Sequence, residues 1–194
     1  MMTNPDTETD MTTRNTITAL TALALAACAP EGAVETELTP DEQVAVDAAI
    51  ENLEPMTADL PVVEGELETM AISDVQEARD YSNCEVKGVL SGVWYDEDYV
   101  RAIEGSWFEL GTGELGGTLV GEYAEGAFSG SFGGTNTGNI SGEYADGLFL
   151  GDWVELDGTD ATGAVPLSEG EMIGRYERRN EMGGYFFGLW GQCD

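Results

Sequence analysis

The sequence predicts an all-β fold: an antiparallel eight-stranded meander of four glycine/aromatic hairpins, closed into a small barrel and preceded by a short helical segment. Three observations predict it. A line of alternating glycine and large apolar residues recurs, tight-turn signals join its arms, and two cysteines bracket the repeats.

The line reads G-x-[LIM]-x-G-x-[YW] in Gly88-x-Leu90-x-Gly92-x-Trp94, Gly117-x-Leu119-x-Gly121-x-Tyr123, Gly138-x-Ile140-x-Gly142-x-Tyr144 and Gly170-x-Met172-x-Gly174-x-Tyr176. A second line follows three of these, as Gly126-x-Phe128-x-Gly130-x-Phe132, Gly147-x-Phe149-x-Gly151-x-Trp153 and Gly184-x-Phe186-x-Gly188-x-Trp190. Period two is the strand period, so one face alternates glycine with bulky groups. The opposite face carries Thr118, Val120 and Glu122 in one copy and Asn139, Ser141 and Glu143 in the next, a polar exterior against an apolar interior. Inner glycines leave room for a neighbouring strand's ring to lie over bare backbone. The arms meet through Tyr123-Ala-Glu-Gly126 and Tyr144-Ala-Asp-Gly147, signals of tight hairpins. In the first copy the second arm reads as degenerate, with Trp107 present and Glu109 where glycine is expected. Parity points Glu109 inward, which makes it a candidate site carboxylate. On the last strand Tyr185, Phe187 and Leu189 are apolar on the outward face. Tyr185 and Phe187 are candidates for an exposed ligand contact, and the N-terminal helix is the candidate cover.

The cysteines decide between an open sheet and a barrel. In a flat eight-strand meander the first and last strands lie about 34 Å apart, at about 4.8 Å per spacing. A disulfide needs Cα atoms within about 7 Å. A bond between Cys84 and Cys193 therefore requires closure, and eight strands enclose an interior that side chains just fill.

Upstream, Thr39-Pro40-Asp41-Glu42 has the form of a capping box with proline at the first helical position. The helix is expected to reach Leu53 on a stripe of Val46, Ala49, Ile50 and Leu53, and to stop at Pro55. A second short helix is expected from a Ser73 cap through Val75, Gln76 and Ala78, with Leu60-Pro-Val-Val63 extended between the two.

At the N-terminus, Met11 is a plausible start. Arg14 supplies a positive n-region, and Ile17 to Ala27 is an apolar run, the pattern of a secretory signal. It closes on Leu25-Ala26-Ala27-Cys28, which resembles the lipobox of bacterial lipoproteins. The resemblance implies lipidation of Cys28 and, with Ala29 following, an outer-membrane address. Acyl chains hold such proteins at about 0.8 kcal/mol per buried methylene. The expected organisation is a signal peptide over 1–27, an acidic tether over 28–38, a helical segment over 39–81 and the repeat barrel over 82–194. Export to an oxidising compartment favours pairing of the two remaining cysteines. The hairpins Leu119-x-Gly121-x-Tyr123-x-x-Gly126-x-x-x-Gly130 and Ile140-x-Gly142-x-Tyr144-x-x-Gly147-x-x-x-Gly151 also resemble MORN repeats. That resemblance implies an array of β-hairpins, which in that family forms open ribbons serving as scaffolds.

The chain has 194 residues with 7 Lys+Arg against 38 Asp+Glu, a net charge of −31 and no histidine. This charge argues against nucleic acid and suits either a solubilising, salt-adapted surface or a basic protein partner. Lack of histidine removes Ser-His and Cys-His nucleophile pairs and histidine metal sites. No Cys-x-x-Cys, Gly-x-Ser-x-Gly or phosphate-binding glycine loop occurs. A carboxylate pair about 5–9.5 Å apart would suit a glycan hydrolase. The acidic tips Asp96-Glu97-Asp98 and Asp157-Gly-Thr-Asp160 make Asp96, Asp98, Asp157 and Asp160 weak calcium candidates. No cofactor is implied. The resulting expectation is a lipid-anchored envelope protein with a non-enzymatic binding or structural role, toward a basic protein or a glycan. The alternative is a carboxylate glycan hydrolase or carbohydrate-binding module.

Overall fold

The computed structural model describes residues 37–56, 66–81, 83–97, 100–157 and 166–193. The signal segment, Cys28, nearly all of the tether, the Leu60–Val63 stretch, Asp98 and Asp160 lie outside the described residues. Two helices, α1 (Pro40–Met56) and α2 (Glu66–Tyr81), precede eight strands. These are β1 (Glu85–Glu97), β2 (Val100–Glu109), β3 (Leu115–Ala124), β4 (Ala127–Gly134), β5 (Gly138–Ala145), β6 (Leu148–Leu156), β7 (Pro166–Arg178) and β8 (Gly183–Gln192).

The strands pair antiparallel in sequence order, and β1 also pairs with β8, so the sheet is a closed barrel. Cys84 and Cys193 are joined, with Cα atoms 4.4 Å apart across a separation of 109 residues. The inward alternation of glycine and ring is what lets the sheet close. Phe128 Cζ lies 2.5 Å from where a Cβ on Gly142 would stand, and Phe149 Cζ and Phe186 Cζ stand in the same relation to Gly174 and Gly92. Each ring covers bare backbone on a neighbouring strand and lets the wall curl. Glycine faces glycine across the hairpins, in Gly92↔Gly105, Gly121↔Gly130, Gly142↔Gly151 and Gly174↔Gly188. The β3–β4 and β5–β6 turns place Glu125 and Asp146 at φ 52° and the following Gly126 and Gly147 at 85° and 84°. Positive φ at both central residues is the mark of a type I′ hairpin.

This register corrects the reading of the first copy. Its second arm is Ile103-x-Gly105-x-Trp107, aligned with the other arms, so Gly105 is the inner glycine. Glu109 is the last residue of β2, half-buried beyond a register shift between Trp107 and Phe108.

The capping box forms as expected: the Thr39 amide and hydroxyl both donate to Glu42 Oε2, at 2.7 and 2.8 Å. Ala45, Val46, Ala49 and Leu53 are fully buried, and Ile50 packs at the edge of that cluster. Pro55 does not stop α1, which runs one residue further to Met56. Near a C-terminus a proline removes one donor from the final turn and leaves the earlier turns intact. α2 starts seven residues before the expected Ser73 cap. Ser73 is interior, and its hydroxyl donates to the Thr69 and Met70 carbonyls, the back-bond open to a serine within a helix.

Both helices lie on the outside of the barrel, α1 on β1 and β2 and α2 on β7 and β8. α2 packs on the apolar outer face of β8, and residues of α1 join the same cluster, so Tyr185 and Phe187 are 0% and 1% exposed. These two residues are therefore core under the helices, a correction to their reading as exposed ligand contacts. Ser91, buried on β1, donates to the Ala49 carbonyl at 3.1 Å and satisfies a polar group in this seam. At the α2–β7 seam, Arg175 donates through Nε to Glu77 at 2.7 Å and lies 3.2 Å from Asp74. The Asp74 side chain is fully buried, and burial raises its pKa to about 9, outweighing the attraction of Arg175. Glu77 accepts the guanidinium's hydrogen bonds.

Candidate ligand site in the barrel lumen

Inward side chains form four levels of four, drawn alternately from odd and even strands. Trp94, Tyr123, Tyr144 and Tyr176 form the first. Each ring meets the next edge-to-face, with centroids 5.7–6.3 Å apart, and the circuit closes on itself. Below it lie Ile103, Phe128, Phe149 and Phe186 from even strands, then Leu90, Leu119, Ile140 and Met172 from odd ones. Trp107, Phe132, Trp153 and Trp190 close the far end in a second circuit, with centroids 5.4–6.5 Å apart. Such edge-to-face pairs contribute about 0.5–1.5 kcal/mol each beyond area burial.

The two ends differ. At the far end the indole N–H of Trp153 donates to the Gly191 carbonyl at 2.8 Å, and that of Trp190 to Phe108 at 3.3 Å. Only about 60 Å³ of space remains there, and the adjacent disulfide ties β1 to the residue after β8. This end is a floor. Above it a cavity of about 390 Å³ runs up through the phenyl and tyrosine levels and opens to solvent. That volume lies within the range of about 300–1,000 Å³ typical of small-molecule sites. The interior is therefore not filled by the repeat aromatics, as the strand count alone suggested. One reason is visible in β2, which supplies Ile103 at the level where three other strands supply phenylalanine.

Polar groups gather at the mouth. Asp96, Arg101 and Arg178 line it together with the tyrosines. Arg101 Nε lies 3.5 Å from Asp96. Arg178 donates to the carbonyls of Asn180 and Glu181, and its Cζ sits 4.7 Å from the Trp94 ring centroid, a cation–π contact. The Tyr123 hydroxyl donates to the Tyr95 carbonyl at 3.3 Å, and burial, with Asp96 nearby, raises its pKa. Among the described residues lining the cavity, Asp96 is the single carboxylate, so no acid pair converges there.

Of the residues singled out from sequence, Cys84 and Cys193 are brought together, Asp96 reaches the mouth, and Asp157 is exposed after β6. Glu109 is not among the lumen-lining residues. Among the described residues, one cluster of candidate metal-ligand atoms within 4.8 Å occurs, Cys84–Glu171–Cys193, and its sulfurs are committed to each other. The cavity and its two arginines were missed by sequence reasoning. The available signal was in the first copy, where Arg101 and Ile103 replace the glycine and phenylalanine of the other even arms.

No protein-family model, curated protein or solved structure gives a match to this chain, so its site is read from its own geometry.

Proposed function

We propose that this is a non-enzymatic binding protein of the bacterial cell envelope, anchored in the outer membrane through lipid on Cys28, that holds a small apolar molecule in its barrel lumen. The observation that carries the reading is the open cavity of about 390 Å³, walled by aliphatic and aromatic side chains and stoppered at one end. An interior of this kind binds by taking apolar surface from water, at about 25 cal/mol per Å². The lipobox supports the anchor. The single lining carboxylate weighs against the hydrolase alternative, because that chemistry requires two.

The test is titration of the domain with the neutral probe N-phenyl-1-naphthylamine. Saturable fluorescence enhancement is expected, and it should be lost in a Leu119→Trp variant that fills the lumen while urea unfolding stays cooperative. Enhancement that is absent, or indifferent to Leu119, overturns the lumen reading. Labelling of Cys28 by an alkyne palmitate analogue in cells tests the anchor.

A second reading rests on the net charge of −31, which suits a basic protein partner docking on the outer wall. Glu122, Glu143 and Asp152 are exposed on the uncovered side, on β3, β5 and β6. Salt-sensitive capture of a basic protein such as lysozyme supports it, and no capture at low ionic strength rejects it.

A further inference from the structure

We propose that the lumen selects molecules with an apolar body and one anionic head group, the head meeting Arg101 and Arg178 at the mouth; this rests on the lumen reading above.

The argument begins with scarcity. The whole chain has 7 basic residues against 38 acidic ones, yet two of the seven line the mouth of the lumen cavity. Arg101 stands where the other even strands carry Gly126, Gly147 and Gly184, two residues before the phenyl level. A glycine there would continue the repeat without the cost of ordering a long charged side chain. Arg178 lies two residues beyond Tyr176, so β7 carries the inward parity past the ring of tyrosines and ends it in a cation. Among the charged residues lining the cavity, two arginines face one carboxylate, Asp96, and Glu125 and Asp146 stand on the hairpin tips around them.

The contacts at the rim leave this charge available. Asp96 engages Arg101 at 3.5 Å, and both side chains remain well exposed, at 36% and 51%. Arg178 contacts two carbonyls and an aromatic face, and among the described residues it makes no ion pair. Guanidinium groups bind carboxylates with paired, charge-assisted hydrogen bonds. The lining thus offers two guanidinium groups to an anionic head whose tail is seated in the lumen. Tail and head are matched in geometry. Trp94 to Leu90 spans four residues of strand, about 13 Å of wall at about 3.3 Å per residue. A medium-length alkyl chain thus reaches the aliphatic level while its carboxylate stays at the arginines. A cationic amphiphile is disfavoured by the same groups, since Arg178 already occupies the Trp94 face.

The experiment compares dodecanoate, dodecanol and dodecylammonium, each titrated into the domain at neutral pH and followed by tryptophan fluorescence and calorimetry. Dodecanoate is expected to bind at least about tenfold tighter than dodecanol, the scale of one hydrogen-bonded charge. Dodecylammonium is expected to bind more weakly than either. In the Arg101→Gln/Arg178→Gln double variant the carboxylate-to-alcohol ratio should fall to near one. Lys87→Gln, an outer-wall charge removal, should leave the ratio intact. Equal binding of carboxylate and alcohol by the unaltered protein overturns the head-group proposal and leaves the lumen reading standing. Failure of all three ligands overturns both. A ratio unmoved by the double variant, with cooperative unfolding retained, overturns the role of the two arginines.

Discussion

The floor and the mouth of the barrel use the same device, four rings meeting edge-to-face, and reach opposite results. At the floor three indoles and one phenyl leave about 60 Å³, two indole donors end on strand carbonyls, and a disulfide lies alongside. At the mouth one indole and three phenols surround an opening onto about 390 Å³, with charged side chains above them. Ring number is equal, so ring size decides. The larger indoles fill the cross-section, two of them fixed on strand carbonyls, whereas the smaller phenol rings leave the axis clear. The lesson is that one end specifies stability and the other access.

The largest test of this contrast is removal of the staple at the floor. Cys84→Ser/Cys193→Ser should lower unfolding free energy by about 4–5 kcal/mol for a loop of this length, read from the urea midpoint. Hydrogen-exchange protection should fall first at the ends of β1 and β8 next to the floor. Next comes a matched pair of truncations. Trp153→Ala at the floor should cost about 3–5 kcal/mol. Tyr144→Ala, at the half-buried mouth, should cost about 1 kcal/mol, within the usual range for point mutants. Equal costs would break the comparison.

Glycine substitutions sharpen it. A Cβ on Gly142 would stand 2.3 Å from the Leu150 carbonyl and 2.5 Å from the Phe128 ring, so Gly142→Ala should cost about 1–3 kcal/mol by overpacking. At Gly133 a Cβ meets nothing within 4 Å, and Gly133→Ala should change the midpoint little. A separate test concerns the seam outside the barrel. Folding raises the Asp74 pKa from 3.8 to about 9, so the folded state holds a proton that the unfolded chain has released. This group's contribution is complete below about pH 4 and is lost as pH rises toward 9. Asp74→Asn, which mimics the neutral acid, should flatten stability against pH across that window. A profile identical to that of the unaltered protein would place the charge on Asp74 at neutral pH.

Most of the barrel was legible because period-two patterns state both strand and face. Leu119 and Tyr123 point inward as their parity demands, and Glu122 and Glu143 point out. Closure was legible because Cys84 and Cys193 can meet only if the first and last strands are neighbours. The helical segment was less so. Ser73 has a cap's chemistry but sits mid-helix, because its hydroxyl finds carbonyls one turn back and tertiary packing of Leu67, Ala71 and Val75 extends α2 beyond any local start signal. The cavity was illegible for a different reason. Counting inward residues says what lines an interior, while the space left between them depends on ring orientation and on single departures such as Ile103 and Arg101. Those two departures lie in the one arm whose inner glycine falls four residues before the position that the repeat pattern suggests, so their meaning was hidden with their alignment.

The attachment of α1 at one end of the cylinder has a directional consequence. The Gly111 amide in the β2–β3 turn donates to the Asp41 carbonyl at 3.3 Å, which fixes the first turn of α1 beside the stoppered end. The N-terminal turn of α1 thus rides with the stoppered base, so any strain that loosens the β2–β3 turn is passed to the helix cap rather than to the rim.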